Sequence, residues 1–155
     1  MESAEIAPNI KKQLLPWHEG QLQVLRALHF AGRSSRGELA TQTGLSPQSL
    51  TRIAQELLSA GYIQELERRR TGTKGQPAIE LQLTPGRILS LGLVLESDRI
   101  TCVLRDLADG VLRRSEIAGD FRSAERSVAA AERLAAQMLA SLPAGGTLLG
   151  IGVSQ

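Results

Sequence analysis

With 155 residues, 42% hydrophobic and 22% charged, the chain has the composition of a globular protein and enough length for one ordinary core or two small ones. Its longest apolar stretches, such as residues 88–95, fall far short of the roughly 20 residues that cross a bilayer. No apolar core follows Glu2 and Glu5 as a secretory signal would require. Neither a membrane span nor a signal is expected, and the chain is expected to be cytoplasmic. The single cysteine, Cys102, lies in an apolar run and is expected to be buried and inert. It rules out an intrachain disulfide and a thiolate metal cluster within one chain. Net charge is only +2, but residues 1–87 hold 11 Lys and Arg against 8 Asp and Glu, and the remainder 7 against 8. The excess of positive charge sits in the first half, where its placement matters more than its sum.

Residues 1–18 mix charges with two prolines and show no periodicity, so they read as an arm that Trp17 is expected to tack down. A first helix begins near Glu19, with Leu22, Leu25 and Leu28, flanked by Val24 and Phe30, at helical spacing before Gly32. Ser35 stands three residues before Glu38, the capping-box spacing, and opens a second helix running to about Thr43. Gly44 supplies a sharp turn, Leu45 faces the interhelical core, and Ser46-Pro47 places an N-cap before proline at the first helical position. In the third helix Leu50, Ile53, Ala54, Leu57 and Leu58 make the apolar face and Gln48, Ser49, Thr51, Arg52 and Gln55 the polar one, up to Gly61. Strands are expected over residues 62–67 and 78–83, joined by a basic loop over 68–77. The turn residues Thr84-Pro85-Gly86 mark the expected boundary between a first unit over 19–86 and a second lobe over 87–155.

That lobe is expected to open with an antiparallel meander over residues 88–95, 99–106 and 111–117, broken at Glu96-Ser97-Asp98 and Ala108-Asp109-Gly110. A helix capped by Ser123 follows, with Val128, Ala131, Leu134, Ala135, Met138, Leu139 and Leu142 on its apolar face, and a strand over 148–153. The class is α+β, ordered ααα-ββ and then βββ-α-β.

Two short helices joined by Gly44-Leu45-Ser46 match the geometry that lays a recognition helix in a major groove, although many helical hairpins share such a turn. The outward residues shift the balance toward DNA. Ser46, Gln48, Ser49, Thr51, Arg52 and Gln55 are short or fork-shaped hydrogen-bonding groups placed to meet base edges, where a solvated face would carry more Glu and Lys. In the hairpin loop Arg68, Arg69 and Arg70 are suited to phosphates, Gly75 lets the backbone approach the duplex, and Thr73, Lys74 and Gln76 complete a wing. Ser35 and Arg36, opening the second helix, are expected on the DNA backbone. The rival reading is a protein-interaction or dimerisation module with a merely solvated loop. Catalysis is not expected: His18 and His29 lie in the arm and first helix with no nucleophile or carboxylate constellation, and no metal or cofactor site is foreseen.

The run Ser35-Arg36-Gly37-Glu38-Leu39-Ala40, Gly44-Leu45-Ser46, Leu50-Thr51-Arg52-Ile53, Leu57-Leu58, Gly61-Tyr62-Ile63 and Gly75-Gln76-Pro77-Ala78 closely resembles the regulators of the ROK (repressor, open reading frame, kinase) family. The likeness continues through Leu91-Gly92-Leu93, residues 104–109 and Gly150-Ile151-Gly152-Val153. It implies a winged helix-turn-helix followed by part of a ribonuclease H-like (actin-like) lobe, double-stranded DNA as the partner, a homodimer or higher oligomer, and repression of carbohydrate-related genes. The family's wing often reads Gly-Arg-Pro where this chain has Gly75-Gln76-Pro77. Its active kinases carry Asp-x-Gly-Gly-Thr where this chain has Glu96-Ser97-Asp98-Arg99, so the backbone cradle for ATP phosphates is missing and no kinase activity is expected. The family's sugar-binding, catalytic and zinc residues lie beyond Val153. The chain is therefore expected to be a truncated product, a fragment or a degenerate gene, with the sugar effector site of its longer relatives absent or incomplete.

Overall fold

Helix α1 (Glu19–Ala31) stops at Gly32, whose φ of 72° only glycine adopts freely and whose N–H returns to the Leu28 carbonyl. In this computed structural model, which describes residues 17–66, 79–108 and 110–155, contacts divide the chain between Pro85 and Gly86.

In the first unit α1 leads into a short strand, β1 (Arg33–Ser35), and then α2 (Arg36–Thr43) and α3 (Pro47–Ser59). Gly44 takes φ 70° and ψ 9°, the left-handed turn expected between the helices. Strands β2 (Ile63–Glu65) and β3 (Glu80–Leu83) complete an antiparallel sheet in the order β1-β3-β2. Val24, Leu25 and Leu28 of α1, Leu39 of α2, Leu50, Ile53, Ala54 and Leu57 of α3, and Ile63, Leu81 and Leu83 of the sheet are buried. Hydrophobic burial of this kind is what holds so small a unit together.

Three sequence expectations change here. Strand β1 was not foreseen, because Arg-Ser-Ser has no apolar pattern; it pairs with Gln82, Leu81 and Glu80. Both wing strands are shorter than expected. Leu22 and Phe30, expected on the apolar face of α1, are 44% and 75% exposed, because the arc of α1 turned toward α2 and α3 is only wide enough for Val24, Leu25 and Leu28. The basic loop over 68–77 lies outside the described residues, as does the arm before Trp17. Trp17 itself meets Tyr62 edge to face at 5.3 Å.

In the second unit β4 (Ile88–Leu95), β5 (Arg99–Asp106) and β6 (Gly110–Ala118) form the expected meander. Helix α4 (Ala124–Leu139) then returns the chain to β7 (Thr147–Ser154), which pairs parallel to β4, giving the order β6-β5-β4-β7. Alternate residues of β4 and β5, among them Leu89, Leu91, Leu93, Ile100, Cys102 and Leu104, are buried with Ala130, Ala131, Leu134 and Met138 of α4. Burial pushes the Cys102 thiol up, away from the reactive thiolate. The α+β class and the βββ-α-β order are as expected. Two details differ. Val128, expected on the apolar face of α4, is 52% exposed. Ser123 has the extended backbone of an N-cap, but its side chain makes no capping hydrogen bond; its carbonyl instead accepts from Ser127 Oγ, which also donates to the Phe121 carbonyl.

Candidate nucleic-acid interface

The helix-turn-helix is built by local side-chain chemistry at both helix starts. At α2 the Ser35 hydroxyl accepts from the Glu38 N–H at 3.3 Å, and the Glu38 carboxylate accepts from the Ser35 N–H at 2.8 Å, completing the expected capping box. The Ser35 backbone bond is the main reason the Glu38 carboxyl titrates below its ordinary value, with help from the Ser35 and Ser34 hydroxyls. At α3 Ser46 Oγ accepts from the Ser49 N–H and donates to Ser49 Oγ, with Pro47 at the first helical position.

These caps fix the direction of α3 and thereby its outer face. Gln48, Thr51, Arg52 and Gln55 are exposed and fall on one side, where they line an open hollow with Pro47, Glu56 and Ser59. Ser46 and Ser49, also foreseen as contacts, are engaged in the cap, and Ser49 is half-buried. Thr51 Oγ1 donates to the Pro47 carbonyl at 2.8 Å, which leaves its oxygen lone pair and methyl group for a partner.

Sequence reasoning passed over Glu56. It is one helical turn beyond Arg52 and ion-paired with it, and its other oxygen takes Gln21 Nε2 at 3.0 Å and lies 3.5 Å from His18 Nε2. Desolvation pushes the Glu56 carboxyl up, but the Arg52 hydrogen bond and charge, with Gln21 and His18, outweigh it and hold it below the usual value. The spacing to Arg52 is visible in the sequence; the contacts from α1 are not.

Ser35 and Arg36, expected on the DNA backbone, are both occupied within the fold. Ser35 belongs to the capping box, and Arg36 Nη2 donates to Glu65 Oε1 of β2 at 2.7 Å, tying α2 to the wing sheet. The expected wing contacts Arg68, Arg69, Arg70, Thr73, Lys74, Gly75 and Gln76 lie outside the described residues. Among the described residues no group of three His, Cys, Asp or Glu is arranged to hold a metal, and no helix is long and apolar enough to cross a membrane.

The MarR family profile matches residues 15–75, the stretch that holds all three helices of the first unit. Over 85 residues the chain is 35% identical to the DNA-binding transcriptional repressor Mlc of Escherichia coli, covering 55% of this chain and 21% of that protein. An uncharacterized protein of Sinorhizobium fredii, y4fQ, is 34% identical over 121 residues, 77% of this chain and 31% of its own length. A crystal structure of a ROK family transcriptional regulator, described as a homolog of E. coli Mlc, superposes with a TM-score of 0.58 at 24% identity, covering 93% of this chain and 35% of that one. The chain is thus similar in sequence to Mlc and in fold to a ROK-family regulator. The ROK fold extends through both units, whereas the MarR profile accounts for the helix-turn-helix and the start of the wing. The chain spans about a third or less of the length of the relatives it matches.

The Glu96-Ser97-Asp98 turn is a tight, glycine-free link between β4 and β5. Arg99 lies 3.6 Å from Glu96 and 3.2 Å from Asp98, and the Ser97 and Asp98 carbonyls accept from Phe121 and Gly119. The relatives with assigned roles are regulators, not enzymes.

Proposed function

We propose that the chain is a sequence-specific DNA-binding transcriptional regulator that reads base edges with α3. The observation that carries this reading is the outer face of α3: Gln48, Thr51, Arg52 and Gln55 aligned, exposed and set on a helix whose start is fixed by Ser46. Arg and Gln are the side chains that make bidentate contacts with guanine and adenine in a major groove. The basic wing, residues 68–76, meets the backbone or minor groove beside it. Repression is the favoured output, because Mlc and the N-acetylglucosamine repressor of E. coli carry that role in their names; the latter matches at 32% identity over 89 residues. The same name supports a link to carbohydrate genes.

The regulator works as a homodimer or larger assembly. One recognition helix spans too few base pairs for specificity, and paired half-sites about one helical turn apart supply the rest. Exposed Leu22 and Phe30 on α1, and Val128, Leu149 and Val153 in the second unit, offer apolar surface for association.

The test is binding of the purified chain to fragments of its own promoter region and to random DNA of equal length across a salt series. Selective, salt-sensitive binding supports the reading. Absence of binding at low salt moves it to an interaction module, for which the same exposed apolar residues would be the contact surface.

A further inference from the structure

We propose that Glu56 is a positioning residue for base reading, holding Arg52 in its reading posture while being held itself from α1 by Gln21 and His18. The inference rests on the DNA-binding reading above and assigns a role in specificity to residues outside the helix-turn-helix. The carboxylate is divided between two tasks: Oε1 accepts from Arg52 Nη1, while Oε2 receives Gln21 Nε2 at 3.0 Å with His18 Nε2 at 3.5 Å. The Arg52 side chain is 63% exposed and long enough to sample many rotamers. One N–H of its fork fixed on Glu56 orients the guanidinium plane and leaves the remaining donors free for a base.

An i,i+4 pair with arginine on the N-terminal side is the weaker order for a helix, so the pair alone is a loose restraint. Gln21 removes that looseness from the other side. It is 35 residues away in sequence, carries no charge, and meets the reading face through Glu56. A carboxylate on a DNA-facing helix also repels phosphates whatever the sequence, so removing it favours binding to any duplex. Positioning predicts the opposite sign for discrimination: the preference for the right sequence falls even while general binding rises.

The experiment measures Kd for the full chain on a duplex it selects from a randomised pool and on a scrambled duplex of equal length, taking the ratio as specificity. Arg52→Ala is expected to lower the ratio about tenfold. Gln21→Ala is expected to lower it about threefold without changing affinity for the scrambled duplex, and to have no further effect once Arg52 is alanine. Glu56→Gln is expected to lower the ratio while tightening scrambled binding. Wild-type ratios in Gln21→Ala and Glu56→Gln overturn the positioning role and leave DNA reading intact. So does an equal loss from Gln21→Ala with and without Arg52, which marks general damage to the unit. Selection of no duplex by the wild-type chain overturns the DNA-binding reading and this inference together.

Discussion

Asp106 receives the backbone N–H of Gly86 at 2.6 Å on one carboxylate oxygen and that of Ala108 at 3.1 Å on the other, tying the first residues of the second unit to the end of β5. The side chain is buried, and the neighbouring Leu107 N–H to Ile88 carbonyl bond closes the same corner. Replacing Asp106 by alanine leaves two backbone donors without their acceptor, at a cost of about 1–3 kcal/mol. The sole tryptophan, Trp17, reports on the first unit alone, whereas far-UV circular dichroism follows both. In urea, Asp106→Ala is expected to shift the circular dichroism transition to lower concentration and leave the tryptophan transition in place. Equal shifts in both would mean that the corner does not act within its own unit.

The capping box gives the first unit an acid sensitivity with a defined sign. Hydrogen bonds from Ser35 hold the Glu38 carboxyl below its unfolded value in the folded chain. Its contribution is therefore complete above the unfolded value of about 4.3 and is lost as pH falls through the folded one. Tryptophan-monitored stability is expected to fall below about pH 5, with a shallower slope in Glu38→Gln. Ser35→Ala is expected to cost about 1 kcal/mol at neutral pH. An unchanged acid slope in Glu38→Gln would assign the sensitivity to other carboxylates such as Glu56.

Most of the helix-turn-helix is legible in the sequence because its signals are local. Ser35 and Glu38, Gly44, and Ser46-Pro47 each act within four residues, and the apolar period of α3 fixes which side faces the core. What the sequence hides depends on residues far apart. Strand β1 exists only because β3 pairs with it about fifty residues later. Asp106 is in step with Ile100, Cys102 and Leu104 on the buried face of β5, and its acceptor role appears only when Gly86 is brought to it. Periodicity predicts the direction of the apolar face of α1 but not its width, which is why Leu22 and Phe30 fall outside the core. At the candidate site the outward set on α3 is legible and the capture of Ser49 by the Ser46 cap is local, whereas the capture of Arg36 by Glu65 and of Glu56 by Gln21 is a product of tertiary contact.

The basic loop supplies a prediction that separates phosphate binding from base reading. Neutralising Arg68 and Arg69 is expected to weaken binding evenly on selected and scrambled duplexes, because each phosphate met by an arginine releases counterions whatever the base. The slope of log affinity against log salt should become shallower by about one for each phosphate no longer neutralised. Affinity measured at several salt concentrations on both duplexes decides the matter. A slope equal to that of the wild-type chain would place these arginines away from DNA.

Two glycines should respond to alanine with opposite signs. A Cβ on Gly146 would stand 2.7 Å from Leu89 Cδ1, 3.0 Å from the Pro143 carbonyl oxygen and 3.1 Å from that of Gly86. The leucine methyl can rotate aside, but the Pro143 carbonyl belongs to the turn that leads into β7 and the Gly86 carbonyl to the backbone that leads into β4, and neither can. Gly146→Ala is therefore expected to cost about 1–3 kcal/mol in the circular dichroism transition. Gly37, in the first turn of α2, has open space where its Cβ would lie and ordinary helical backbone. Gly37→Ala restricts the unfolded chain without a clash, so it should raise tryptophan-monitored stability by about 0.5–1 kcal/mol. A loss on both substitutions would show that α2 is less accommodating at its start than the open space beside Gly37 implies.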